Sequence, residues 1–215
     1  MKRIYLITVL VLIANMNLFS QSESQILVPT FNDKYSKYVA KLESGQTDID
    51  YKDFRYSFLE SKQFITANDN FLEFDKLKKE MYAQMDKSNY QKIIKITKQM
   101  LSIDYTCILA HKILRQTYRI VGDTINEAKY KTIQFGLLNS IVKNGDGKTC
   151  QTAWPVIQLD EEYFILSMLG AVVKEQAHVT GKGNCDRMIV DEDGKENTYY
   201  FEVTKIFEGY TKLGL

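Results

Sequence analysis

The chain has 215 residues, of which 45% are hydrophobic and 12% aromatic, and its formal charge is +1 at pH 7. This composition excludes an intrinsically disordered chain, and the length gives one or two globular domains that need no metal to fold. The near-neutral charge gives no sign of the basic surface that nucleic-acid-binding proteins use, so we expect no nucleic-acid partner.

The first 20 residues have the layout of a secretory signal peptide. Lys2 and Arg3 precede a mostly apolar run at residues 4–19, and Ser20 precedes a polar segment. We predict cleavage after Ser20, export to the periplasm or the cell exterior, and no membrane span afterwards. Two asparagines leave the apolar run short of the roughly 20 residues of a spanning helix, and an uncleaved anchor is the alternative. Cleavage would change the formal charge to −1.

Residues 21–32 are predicted to form an extended leader, and a helical region follows over residues 33–143. Asp50 is placed to cap one of two early helices, and a polar break follows at residues 66–70. Four further helices with short connections fill residues 70–143, which predicts antiparallel helical hairpins.

The four later helices carry apolar residues at helical spacing, and we expect these stripes to hold the helices together. The first and last stripes include Phe71, Phe74, Leu77, Met81, Ile125, Ile133 and Leu137.

Part of this helical region, residues 89–123, resembles a tetratricopeptide repeat. Leu114, Tyr118 and the turn at residues 122–123 match the family pattern, whereas Tyr105 stands where the usual proline would be. At most one and a half repeats are legible, and such repeats normally need three or more to be stable. Flanking helices must therefore complete the unit.

Residues 144–215 differ in composition from the helical region, because glycines, the single tryptophan and a proline interrupt the apolar pattern. We predict a short strand at residues 155–159, then a helix capped by Asp160 and stopped at Gly170. Three β-rich runs predict a small antiparallel meander, and they lie at residues 171–179, 186–190 and 197–207. The predicted fold class is α+β, and the sequence leaves open whether both regions share one core.

Three cysteines would enter an oxidising compartment on export. Cys107 lies in an apolar helical run and is interpreted as a buried thiol. Cys150 and Cys185 lie in loop-like sequence and are a candidate disulfide, although sequence alone cannot place them within bridging distance.

Residues 178–188 combine a histidine, a cysteine and a G-x-G sequence. The spacing fits neither a phosphate loop nor a dinucleotide fingerprint, so we interpret this segment as a turn between strands. A thiol site built from His178 and Cys185 is the alternative. His111 lacks the ligand spacing of a metal site, and the acidic residues 191–196 lack the length of a calcium loop. We therefore predict no catalytic, cofactor-binding or metal-binding residues, and no cofactor.

Three stretches resemble a family of exported bacterial proteins catalogued as domain of unknown function 4919, and they read DIDYKDFRYSFLES, LDEEYFILSMLG and TYYFEVTKIFEGYTKLG. The likeness runs from about residue 35 to the C-terminus. The resemblance implies an exported α+β protein, and it implies no catalytic residues.

Two functions follow as hypotheses. The first is a non-enzymatic interaction or scaffold protein that presents a concave surface to a protein, a peptide or an envelope component. The second is a hydrolase acting on envelope or carbohydrate material, because Asp160, Glu161 and Glu162 lie near Trp154 and Tyr163, and paired carboxylates among aromatic residues suit glycoside hydrolysis.

Overall fold

A computed structural model describes residues 25–180 and 183–214, so the predicted signal peptide lies outside the described residues. The fold is α+β as predicted, with helices filling the first two thirds and a four-stranded sheet near the C-terminus. Within these described ranges, no helix is long and apolar enough to cross a membrane.

Nine helices occur in the described residues. They are α1 (Lys34–Glu43), α2 (Tyr51–Glu60), α3 (Lys62–Asp69), α4 (Phe71–Asp86), α5 (Tyr90–Ile103), α6 (Ile108–Val121), α7 (Thr124–Val142), α8 (Leu159–Met168) and α9 (Thr204–Leu213). Five of them begin where a polar side chain accepts a hydrogen bond from a first-turn N–H, and these caps are Asp33, Asp50, Ser61, Asn89 and Asp123.

The helices from α4 to α7 pack as successive antiparallel neighbours, as the short connections predict. Leu77, Met81, Leu114 and Ile133 are buried on the expected faces. The predicted polar break at residues 66–70 is much shorter in the structure, because α3 continues to Asp69 and only Asn70 separates it from α4. Ser61 caps α3 and its helical bonds extend to Asn70, so the polar residues lie on an exposed helix rather than in a loop.

The sheet comprises β1 (Trp154–Pro155), β2 (Val172–Thr180), β3 (Asn184–Glu192) and β4 (Lys195–Glu202), in the order β1-β4-β3-β2. The last three strands form the predicted antiparallel meander, and β1 adds a short parallel partner to β4. The acidic segment 191–196 is the tip of the β3–β4 hairpin. Asp193 and Gly194 there both have positive φ, which suits a two-residue turn.

Two predictions about the C-terminal region are wrong. The strand expected at residues 155–159 stops after Pro155, because the Ile157 N–H donates to the Glu161 carboxylate (2.8 Å) rather than to a neighbouring strand. The last β-rich run is a strand only up to Glu202, and helix α9 begins after Val203. The apolar residues of α9 have helical spacing, but in a run this short the spacing does not separate a helix from a strand.

The start of α8 also differs from the prediction. Gln158 occupies the cap position without a side-chain bond to the helix, whereas Asp160 lies inside the first turn and pairs with Lys78. Gly170 follows the helix with a φ of 74°, a left-handed conformation that glycine favours, and it ends α8 as predicted.

One hydrophobic core joins the helical region to the sheet, since a single cluster of buried residues includes members of both. A buried ion pair crosses the same boundary. Arg55 of α2 donates to Glu161 of α8 through Nε (2.9 Å to Oε1) and Nη2 (2.6 Å to Oε2), and Nη2 also donates to the Pro155 carbonyl (3.1 Å). Both side chains are buried.

We expect Glu161→Gln to lower the free energy of unfolding by roughly 3–5 kcal/mol, because it leaves the Arg55 charge buried without its partner. Denaturant unfolding measures this loss. Glu73→Gln is the matched control, since Glu73 pairs with Lys76 on the exposed surface, where the effect should stay below about 1 kcal/mol. Equal losses in the two variants would contradict the structural role of the buried pair.

Cys150 and Cys185 are joined by a disulfide in the structure, with their Cα atoms 5.9 Å apart. Cys150 lies in a short 3-10 turn (Cys150–Thr152), and Cys185 lies at the start of β3. The bond therefore links the segment that precedes β1 to β3, the central strand of the meander. Cys107 is the free cysteine of the described residues.

Protein purified without reductant should show one reactive thiol in denaturant, from Cys107, rather than three. The bond closes a separation of 35 residues, so the chain-entropy relation gives about 4 kcal/mol of stabilisation. We expect the double variant Cys150→Ser/Cys185→Ser to lose stability of that order, and Cys107→Ser serves as the control. Three reactive thiols in protein purified without reductant would show that the pair does not form.

Candidate functional site

The three consecutive acids of α8 have different partners. Asp160 accepts a hydrogen bond from Lys78 (2.8 Å), and Glu161 is held by Arg55. Glu162 is fully buried on the side of the helix that faces the sheet, 3.4 Å from the Gln176 amide. The structure therefore does not bring these carboxylates together as one pair.

His178 and Cys185 do not form a thiol site. The Cys185 sulfur is bonded to Cys150, whereas His178 Nδ1 lies 2.9 Å from Asp186 Oδ1 on the neighbouring strand. The two residues belong to the β2–β3 hairpin, and residues 181–182 of its connection lie outside the described residues.

His111 is fully buried in the helical region, whereas Cys107, the residue that precedes α6, is half-buried. Burial lowers the pKa of His111 to about 4, and its Nε2 lies 2.8 Å from the Tyr105 carbonyl oxygen. Burial also raises the pKa of the Cys107 thiol to about 12, which makes it a poor nucleophile. Among the described residues, no three histidine, cysteine or acidic side chains are placed to hold a metal ion.

A long groove runs between α4 and α8, above the connection from α5 to α6. Its α4 wall is a single helical stripe, formed by Phe71, Phe74, Lys78 and Tyr82. Phe71 and Tyr82 are 11 positions apart, which is about 16 Å along the helix at 1.5 Å per residue. Two cavities lie along it and share Gln158 and Asp160 as lining residues, so we treat them as one feature, the α4–α8 groove.

One end of the α4–α8 groove is apolar and aromatic. Its cavity has a volume of about 320 Å³ and is closed on the far side by α9 through Ile206, Tyr210 and Leu213. Phe71 is 65% exposed at the rim, so the expectation that it packs between helices is wrong. Ile125 of the predicted stripes is also exposed, but it does not line this cavity.

The other end of the α4–α8 groove is polar, with a cavity of about 200 Å³. Burial is the largest single effect on Lys78 and lowers its pKa, but the hydrogen bond to Asp160 and the charge of Asp160 together leave the pKa above its usual value. Below this ion pair, the Gln158 amide donates to Asp104 (2.8 Å) and Thr106 (3.2 Å), which fixes the floor of the groove.

A second cluster lies on the opposite side of α8, at the β2 edge of the sheet. The Gln176 amide nitrogen reaches both Asp186 (2.9 Å) and Glu162 (3.4 Å), and Asp186 also contacts His178. Burial, together with the charges of Asp186 and Glu161, raises the pKa of Glu162 from 4.5 to about 8. This raised pKa favours the protonated form of Glu162 at neutral pH.

This raised pKa predicts a pH-dependent stability. Folded Glu162 binds its proton more tightly than unfolded Glu162, so the free energy of unfolding should fall as pH rises from 4.5 to about 8. The shift corresponds to at most on the order of 5 kcal/mol. Buried His111, whose pKa is lowered to about 4, contributes in the opposite direction up to about pH 6.5, so the fall is measured by chemical denaturation as the difference between the wild type and Glu162→Gln. Glu175→Gln, an exposed control on β2, should behave as wild type, and parallel profiles for all three proteins would contradict the prediction.

Comparison with known proteins identifies the family. The sequence profile of a domain of unknown function, DUF4919, matches residues 27–212. No curated protein and no solved structure matches the chain. The match covers far more than half of the 215 residues, so the chain belongs to the DUF4919 family.

Proposed function

We propose that the protein is an exported, non-enzymatic binding protein, periplasmic or secreted, that holds an apolar segment of another protein in the α4–α8 groove. The signal-peptide layout of residues 1–20 supports export. The observation that carries the binding role is the open aromatic end of the groove, where Phe71 stands exposed beside a cavity of about 320 Å³.

The groove suits a peptide segment with a bulky apolar side chain and a nearby polar group. The apolar side chain would fill the aromatic end of the groove. Burying a side chain as large as leucine or phenylalanine contributes roughly 1.5–3 kcal/mol to the binding free energy. The polar group would reach the Lys78–Asp160 pair, which lies between the two cavities. Ligand pockets of this kind combine an apolar lining with a few fixed polar groups.

The hydrolase alternative has less support from the positions of the acids. General acid–base catalysis needs two groups that face one substrate. Glu161 is held in a two-point ion pair by Arg55, and Glu162 faces the sheet rather than the groove. Asp160 and Glu161 both line the polar end of the groove, but each already has a positive partner, Lys78 for Asp160 and Arg55 for Glu161.

Selection from a library of displayed peptides tests the proposed function. We expect the selected peptides to share a bulky apolar residue, and Phe71→Ala to weaken their binding about tenfold, the effect of losing roughly 1.4 kcal/mol. The matched control is Leu72→Ala, because Leu72 is 80% exposed on the same helix but does not line the groove.

Both variants should fold, since the two side chains are exposed and contribute little to the core. Equal weakening by Phe71→Ala and Leu72→Ala would place binding outside the groove. A library that yields no peptide with a bulky apolar residue would also count against the proposal.

A further inference from the structure

Glu162 and Asp186 form a pair of buried acids that is paired with no lysine or arginine side chain in the described residues, although His178 Nδ1 lies 2.9 Å from Asp186 Oδ1. Buried Glu161, by contrast, is paired with Arg55. The charges that act on Glu162 come from Asp186 and Glu161, and both are negative. A buried acid beside a second acid is stabilised either by a proton or by a cation.

The hydrogen bonds of Glu162 are also incomplete. Its Oε1 atom is buried and has no hydrogen-bond partner, and its Oε2 atom has only the long contact to Gln176. Buried Asp104 differs, because Thr106 donates to one of its oxygens and Gln158 to the other. Glu162 is thus a fully buried carboxyl group with an unused acceptor atom that lies against Asp186 and Gln176.

The rim of this acid pair is aromatic and partly exposed. Tyr163 donates to the Gln176 side-chain oxygen (2.6 Å), and the Phe207 ring lies 5.2 Å from the His178 ring. Tyr163 and Phe207 are each 46% exposed, and Gln176 is an exposed residue of the edge strand β2. The Gln176 amide contacts both carboxyl groups, so a ligand that reaches them from the β2 edge would replace this amide.

We propose that the Glu162–Asp186 pair binds an organic cation, an ammonium or a guanidinium group, that enters at the β2 edge of the sheet. Aromatic rings around a negative site favour organic cations through cation–π attraction. A metal ion fits less well, since no three ligating side chains of the described residues are placed to hold one. On binding, the Glu162 proton leaves to solvent and the resulting carboxylate pairs with the cation.

Experiments can test the acid pair independently of the groove, because neither Glu162 nor Asp186 lines the α4–α8 groove. Binding of a cation here can therefore succeed or fail independently of peptide binding there. Tyr163 lines the polar end of the groove and also reaches Gln176, so it is left unchanged in the tests.

Calorimetric titration of the purified protein with n-butylammonium and with methylguanidinium tests the proposal, and n-butanol is the neutral control. We expect saturable binding of a cation and none of n-butanol. Binding in buffers with different ionisation heats should reveal proton release at neutral pH. Affinity for n-butylammonium should rise up to tenfold per pH unit below about pH 8 and level off above it, as the proton on Glu162 competes less.

Variants locate the site. Glu162→Gln keeps the side-chain shape and should abolish proton release while weakening binding at least about tenfold, a difference of roughly 1.4 kcal/mol. Asp186→Asn should weaken binding similarly. Glu175→Gln is the matched control, because Glu175 pairs with Arg187 on the same hairpin and should leave the affinity unchanged.

No saturable binding of either cation by wild-type protein would overturn the proposal. Unchanged binding by folded Glu162→Gln, or equal losses in Glu162→Gln and Glu175→Gln, would do the same. Titration with N-acetyl-lysine amide and its ε-acetylated form distinguishes the source of the cation. Binding of the lysine derivative as tight as that of n-butylammonium indicates a basic side chain of a partner, whereas binding of n-butylammonium alone indicates a free amine.

Discussion

The ion pair between Arg55 and Glu161 is the interaction on which the arrangement of the molecule depends. Arg55 also donates to the Pro155 carbonyl, and Glu161 also accepts from the Ile157 N–H. The pair therefore fixes the end of β1, the turn that follows and the first turn of α8 against α2. Because α8 supplies one wall of the groove and carries Glu162 to the sheet, both proposed sites rely on this contact.

Helical periodicity predicted much of the fold, because the long helices each bury one continuous face. The cap at Asp50, the stop at Gly170 and the antiparallel meander were also readable, since each rests on local chemistry. The strand expected after Pro155 and the final helix were not. Their conformations depend on a carboxylate that arrives from α8 and on packing against α2, which no local pattern reveals.

The candidate sites were harder to predict than the fold. The sequence placed Glu162 among candidate acids but could not tell which way it points on α8. The groove was missed because its walls are about 80 residues apart in sequence, although the charged Lys78 within an aromatic stripe was an available signal. The contact of His178 with Asp186 could have been predicted from the hairpin register, since the register that pairs Val179 with Cys185 also places His178 opposite Asp186.

We expect the helices and the sheet to unfold as one cooperative unit, and equilibrium unfolding followed by two probes tests this most directly. Trp154 is the only tryptophan and reports on the sheet, where it stacks on Tyr199, whereas circular dichroism reports mainly on the helices. We expect tryptophan fluorescence and the helical signal to change together, with one midpoint, because one core and the Arg55–Glu161 pair join the two regions. Two separate midpoints would show that the helical region and the sheet unfold independently.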